Sequence, residues 1–381
     1  MKTYFHNLDG LRFFAFLSVF ISHSVLFLGF HNESLFFTKL KQLFLIQGDL
    51  GVNFFFVLSG FLITYLLFQE IKKTNTIKLS SFYMRRILRI WPIYFIVIIL
   101  GFFIIPYIAK ILGGDFPFST LSDISVLPWY LLFVANISMT FQNAPNIFVA
   151  VLWSISVEEQ FYLIWPLIMK KFSHKTFGYI ILFIILVSFL GRLPFVYHYG
   201  LSQYFTISVM SALAVGAGLA YIVEYFPKIQ EKFIQMSRKK TILLYILIFS
   251  LIPFKGALAD IFVDGWYRFM YALIPLIFSI LFALVIAEQN YCQNSFFKIG
   301  KKKILTYLGK ISYGLYAYHL IAFFIILSFV KLIGLHTKYT NIYLYFTIII
   351  SSFLLTILIS HLSYHHIEKR FLKLKEKYSI R

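Results

Sequence analysis

Cysteine is nearly absent: Cys292 stands alone among the 381 residues, which excludes an internal disulfide. Charge is scarce as well. Asp, Glu, Lys and Arg make up 13% of the chain, about half of what a soluble domain carries. Acids are the rarer sign, with 15 Asp and Glu against 35 Lys and Arg. No Cys/His set has structural-zinc spacing, and the cluster His361, His365 and His366 lies at an expected membrane edge, so no metal site is expected. Walker-type glycine loops, GxGxxG and GxSxG are also missing, and with them the common signatures of phosphate loops, dinucleotide binding and the nucleophile elbow.

What the chain has in quantity is apolar surface. It is 60% hydrophobic and 20% aromatic, with a mean hydropathy of +0.81. Apolar runs near ~20 residues recur from end to end, which predicts an all-α, polytopic membrane protein; a β-barrel would show ~10-residue alternating segments instead. Ten crossings are expected near 8–30, 49–69, 87–108, 149–169, 177–197, 204–224, 241–254, 269–288, 305–333 and 341–363. The apolar segment 127–141 is expected to be re-entrant or interfacial, because a crossing there would place the basic loop at 170–175 outside. No linker, composition shift or internal repeat divides the chain, so residues 1–381 read as one transmembrane domain, and no cleavable signal is expected. Lys and Arg gather around 70–90, 170–175, 228–240, 298–303 and 369–381. That is the positive-inside pattern, so the net charge of +20 reports orientation and contact with the lipid bilayer, not nucleic acid. Both termini are expected in the cytoplasm, in a multi-pass protein of the cell (inner) membrane. Cys292 falls in an expected cytoplasmic loop, as an incidental thiol or an acyl carrier.

Against this background the polar residues are informative by position. LDGLRFFAFLSVFISHS places Arg12 and His23 eleven residues apart in a nearly chargeless run. Eleven steps of ~100° come within about 20° of three full turns, so both share one helix face, roughly 16 Å apart along its axis. Ionisable groups in a membrane face a water-filled cavity or a partner. The pair therefore predicts a site that grips at one end and does proton chemistry deeper in. LWSISVEEQFYLIWPL sets Ser154 and Glu158 on one face at i, i+4. Glu158 is read as functional, and Glu159 as an outer-interface residue, solvated or capping the helix start. FYMRRILRIWPIYF sets Arg86 and Arg89 at i, i+3 beside Arg85, either as a phosphate cradle or as membrane anchors. GDLGVNFFFVLSGFLIT holds Gly51, Asn53, Ser59 and Gly60, a composition that lets membrane helices approach closely. Asp49, near its outer boundary, either orients a histidine or is solvated. SYGLYAYHL supplies a second intramembrane histidine, His319, for which a hydrogen-bonded structural role is the plainer reading. The tail SYHHIEKR is read as a solvated end carrying His365, His366 and Glu368. The outer connection 109–148, rich in Pro, Asn, Ser and aromatics, is either a ligand surface or a packed interfacial loop.

In order, LDGLRFFAFLSVFISH (8–23), GVNFFFVLSGFLI (51–63), FYMRRILRIWP (82–92), WSISVEEQFYLIWP (153–166), ISYGLYAYH (311–319) and SYHHIE (363–368) resemble the acyltransferase-3 family of integral-membrane O-acyltransferases, over essentially the whole chain. The resemblance implies transfer of an acyl group, most often acetyl from acetyl-CoA, to a hydroxyl of a carbohydrate-containing acceptor such as a cell-surface polysaccharide. It carries the family's arginine-to-histidine motif onto Arg12 and His23, its paired arginines onto Arg86 and Arg89, and its serine-to-glutamate motif onto Ser154 and Glu158. On that reading His23 is the general base and Glu158 orients or charge-balances it. Arg12, Arg86 and Arg89 hold the acyl-CoA phosphates, and Asn53, Ser59 or Ser154 donate to the oxyanion, with Asp49 and His319 as supporting polar residues. Direct transfer and a ping-pong route both stay open. Acyl-CoA is then a co-substrate, and no permanently bound cofactor is expected. The chain ends soon after its last expected helix, which implies the transmembrane module without the soluble esterase-like domain some members carry. The alternative from another class is a secondary transporter or flippase of a lipid-linked sugar or proton-coupled solute, with Arg, His and Glu as a proton relay.

Overall fold

A backbone inside lipid has no water to satisfy its N–H and C=O groups, and in the long Phe, Leu and Ile runs of this chain the helix satisfies them locally. The structure, a computed structural model, describes residues 5–26, 35–111, 123–142, 144–195, 198–257, 261, 264–335 and 342–378, and no strand occurs among them. Ten long helices dominate the described residues. They are α1 (His6–Leu26), α2 (Leu35–Thr74), α3 (Leu79–Ile99, continued through a π-turn to Ile111), α4 (Leu152–Lys171), α5 (His174–Arg192), α6 (Thr206–Tyr225), α7 (Arg238–Gly256), α8 (Asp264–Tyr291), α9 (Ser312–Leu332) and α10 (Ile342–Ser363). Among the described residues, nine helices are long and apolar enough to cross a membrane, and the chain is a polytopic all-α membrane protein. The tenth expected crossing, 241–254, falls in α7. It stands apart from the nine because Lys239, Lys240 and Lys255 sit within its length. At about 28 Å it still runs the depth of the bundle. Tyr245, two turns in, donates to Glu288 near the end of α8, and Lys255 at the far end pairs with Asp49 at 3.2 Å.

The basic connections gather at one end of the bundle. There Asn7 at the start of α1 accepts from the Gly300 amide at 2.7 Å and donates to the Gln289 carbonyl. Arg85 of α3 donates to the Tyr378 carbonyl at 2.7 Å, so the first and last described stretches share this end. The crossing expected at 305–333 is two helices, Lys303–Lys310 and α9, broken at Ile311. The first of these packs so closely on α1 that a Cβ at Gly309 would strike the Asp9 backbone. Backbones also touch where α2 meets α6: a Cβ at Gly60 would meet the Leu213 carbonyl, and one at Gly216 the Val57 carbonyl.

Segment 127–141 does not cross. It is two short helices, Leu127–Leu131 and Ala135–Phe141, turned on Phe133 at φ 57°. A bulky residue in the left-handed region is unusual. Phe133 is held there by stacking on Tyr94, with centroids 4.2 Å apart, and by its carbonyl accepting from Gln160 at 3.0 Å. Gln160 lies about 12 Å along α4 from Leu152, so the turn of the segment packs against the middle of that helix. Residues 112–122 and 143 of the connection 109–148 lie outside the described residues.

Candidate active site

Helix α1 runs unbroken from His6 to Leu26, so Arg12 and His23 keep the shared face and the roughly 16 Å separation that their spacing predicts. Each opens into a different cavity. Arg12 lines one of about 120 Å³, together with Ser59 of α2, Arg86 and Arg89 of α3, and Ser154, Glu158 and Tyr162 of α4. His23 lines one of about 480 Å³, with Ser22, Asp49, Met139, Trp153, Gln203 and Tyr204 around it. Val52 and Tyr316 line both cavities, so the two lie end to end along α1 and meet at those side chains.

The smaller cavity is cationic. Arg12 pairs with Asp9 one turn earlier at 2.9 Å. Neither Arg86 nor Arg89 has an ion-pair partner among the described residues. The Arg86 guanidinium lies about 6 Å from the ring centroids of Phe82 and Tyr162, and its buried Nε has no hydrogen-bond partner. Arg85 turns away: it pairs with Glu70 at 2.8 Å and ties down the Tyr378 carbonyl, so its role is to dock the chain's end on α3. Glu158 accepts from Tyr162 Oη at 2.9 Å, and Tyr162 in turn bonds Ser59. Glu159 points to the α3 side, where Trp91 Nε1 donates to it at 3.2 Å. Both carboxylates sit two turns into α4, not at an outer interface, because α4 begins at Leu152.

At the junction Ser154 Oγ and Tyr316 Oη lie 2.8 Å apart, both within reach of the Val151 carbonyl, so one hydroxyl donates to the carbonyl and the other closes the pair. On the other side His23 Nδ1 lies 2.7 Å from His319 Nε2, and His319 Nδ1 lies 2.7 Å from the Tyr316 carbonyl oxygen. The larger cavity ends in a polar and aromatic rim, where Trp153 meets Tyr204 edge to face at 5.0 Å and Asp49 holds Lys255.

Several sequence expectations are thereby relocated. Glu158 lies in the arginine cavity bonded to Tyr162, and the group beside His23 is His319. Asn53 lines neither cavity: its amide donates to the Pro275 carbonyl at 3.2 Å and accepts from Ser279 at 3.0 Å, clamping α2 to α8. Glu368 is buried, not solvated, because a π-turn over Tyr364–Glu368 swings it inward while His365 and His366 stay exposed. Cys292 is buried and donates to the Met236 carbonyl. Tyr316 was missed although its motif was in view. Its i, i+3 spacing to His319 put both on one helix face and was the available signal. Trp153, Gln203 and Tyr204 carried no comparable pattern.

The profile of the acyltransferase domain family matches residues 5–361. A Staphylococcus aureus (strain COL) protein that bears the provisional name of O-acetyltransferase is 30% identical over 97% of this chain and 58% of its own length. The O-acetyltransferase OatA of S. aureus (strain NCTC 8325) is 30% identical over 96% of the chain and 57% of its own length. The peptidoglycan O-acetyltransferase OatA of Listeria monocytogenes is 28% identical over 84% of the chain and 49% of its own length. The chain thus spans about half to three fifths of the length of these relatives, and no solved structure matches it. The profile match covers nearly the whole chain, and the chain belongs to the acyltransferase family.

Proposed function

We propose that this membrane acyltransferase moves an acetyl group from acetyl-CoA to a hydroxyl of a glycan of the cell envelope. The observation that carries the reading is that one helix gives a cation to one cavity and an imidazole to the next, and the cavities meet at Tyr316. Two guanidiniums without an ion pair among the described residues suit a ligand bearing several phosphates, because each then gains a charge-assisted partner. The basic end of the bundle faces the cytoplasm on the positive-inside rule, where acyl-CoA is available. The pantetheine arm would run from the arginines toward Tyr316, bringing the thioester to the edge of the histidine cavity. His23 removes the acceptor's hydroxyl proton as the oxygen attacks the thioester carbonyl, the C–S bond breaks, and the proton passes to the CoA sulfur. Ser154 or Tyr316 donates to the developing oxyanion on this reading, by turning its proton away from the Val151 carbonyl. Glu158, through Tyr162 and Ser59, balances the arginine charge. A glycan acceptor follows from the relatives' names, one of which specifies peptidoglycan, and from an aromatic and polar rim suited to sugar faces and hydroxyls.

The test is a purified protein given acetyl-CoA and a soluble envelope oligosaccharide. Free CoA thiol should appear only when acceptor is present, matched by a one-acetyl mass increase on the oligosaccharide. Transport of the acceptor without thiol release would establish the carrier alternative instead.

A further inference from the structure

The rings of His23 and His319 are parallel to within 6°, with centroids 5.0 Å apart. That separation is what 2.7 Å between facing nitrogens and two ring radii make, so the imidazoles lie edge to edge in one plane. A proton between them sits on the line joining the nitrogens, the favourable hydrogen-bond geometry. Its owner follows from the next contact. His319 Nδ1 faces the Tyr316 carbonyl oxygen at 2.7 Å, and a carbonyl only accepts, so His319 Nδ1 carries a hydrogen. No carboxylate pairs with either ring among the described residues, and His319 is fully buried against Phe16 and Phe20, so each ring is read as neutral with a single N–H. His319 Nε2 is then a lone pair aimed at His23 Nδ1, which must donate to it.

We infer that His319 is a positioning residue that locks His23 in the Nδ1–H tautomer and leaves the His23 Nε2 lone pair as its base. The order is Tyr316 carbonyl, His319, His23, acceptor, with each member fixing the tautomer of the next. The second-ring nitrogen of a working histidine is where tautomer and orientation are set. Here a neutral imidazole does this where a carboxylate would carry a charge into an apolar, fully buried position. When the acceptor's proton arrives at His23 Nε2, the Nδ1–H bond to His319 holds the new cation in plane. The consequence for catalysis rests on the acyl-transfer reading; the tautomer rests on the two contacts and on the neutrality of the buried rings.

Histidine-selective 15N spectra of the intact protein in bilayers test the tautomer directly, with His23→Asn used to identify the His23 signals. His23 should show a protonated Nδ1 and a bare Nε2, and this pattern should be lost in His319→Leu. A wild-type His23 protonated at Nε2, or a pattern unchanged in His319→Leu, overturns the inference. Acetyl transfer supplies the second readout. His319→Gln can still present an acceptor oxygen and should stay within about tenfold of wild type, whereas His319→Leu should lose about 10²–10⁴ in kcat with KM for acetyl-CoA unchanged. Equal losses in the Gln and Leu variants are what a merely packing histidine gives, and would also overturn it. If the wild type transfers no acetyl group yet shows the locked tautomer, the acyl-transfer reading fails while the assignment of His319 stands.

Discussion

Arg86 has its guanidinium against two aromatic rings, a buried Nε without a partner, and no ion pair among the described residues, while Arg85 beside it is fully engaged by Glu70 and the Tyr378 carbonyl. Adjacent arginines thus differ in kind: one closes the structure and the other waits for an anion. Arg86→Gln is expected to raise KM for acetyl-CoA about 10–100-fold with a small change in kcat, since the lost contacts are made equally in ground and transition states. Initial-rate kinetics check this, and a fall in kcat at unchanged KM would contradict it. Arg85→Gln should instead lower the unfolding midpoint, as breaking one side of a buried pair leaves Glu70 uncompensated. Glu158 and Tyr162 are bonded to each other, so their effects should not add. In a double-mutant cycle, Glu158→Gln and Tyr162→Phe together should cost little more than the worse single change. Strict additivity would mean that the pair does not act as a unit.

Among the helices, α2 is held on two sides at the backbone level. Its Gly60 lies on the α6 backbone and its Asn53 amide clamps α8 through the Pro275 carbonyl and Ser279. Gly60→Val is expected to cost about 1–3 kcal/mol of stability through overpacking, read as a lower unfolding midpoint in detergent. Asn53→Leu should also lower the midpoint, by the smaller amount an interhelical hydrogen bond contributes, about 0.6 kcal/mol, while kcat stays within about threefold. A hundredfold loss of kcat at unchanged stability would return Asn53 to the chemistry. Composition and periodicity made the helices legible, along with the Arg12–His23 register and the i, i+4 and i, i+3 pairs on α3 and α4, because those depend on one helix at a time. Which face meets which neighbour depends on interhelix packing, and there the sequence was silent. The Asn53 amide looked like a free donor until α8 was placed against it. Glu158 looked like a partner for His23 until the two appeared in different cavities. Glu368 read as solvated because a π-turn, one extra residue in a helical turn, leaves no mark in the local sequence.

At the scale of the whole molecule, the basic connections, the start of α1 and the last described stretch share one end, and Asp49, Lys255 and the rim of the larger cavity share the other. We propose on the positive-inside rule that the basic end faces the cytoplasm. With Cys292→Ser as background, a cysteine at exposed Lys303 should react with a membrane-impermeant maleimide only after cells are permeabilised, and one at exposed Gln142 should react in intact cells. The reverse pattern would invert the proposed entry of donor and acceptor. The central claim is that donor binding and proton transfer are divided between the two cavities, with His23 acting only in the second. Measuring acetyl-CoA affinity and acceptor-dependent CoA release side by side in wild type and His23→Ala tests it most directly. The account predicts an affinity within about twofold of wild type and a turnover reduced by at least about 10²–10⁴; retained turnover in His23→Ala, or loss of acetyl-CoA binding along with it, would contradict the account.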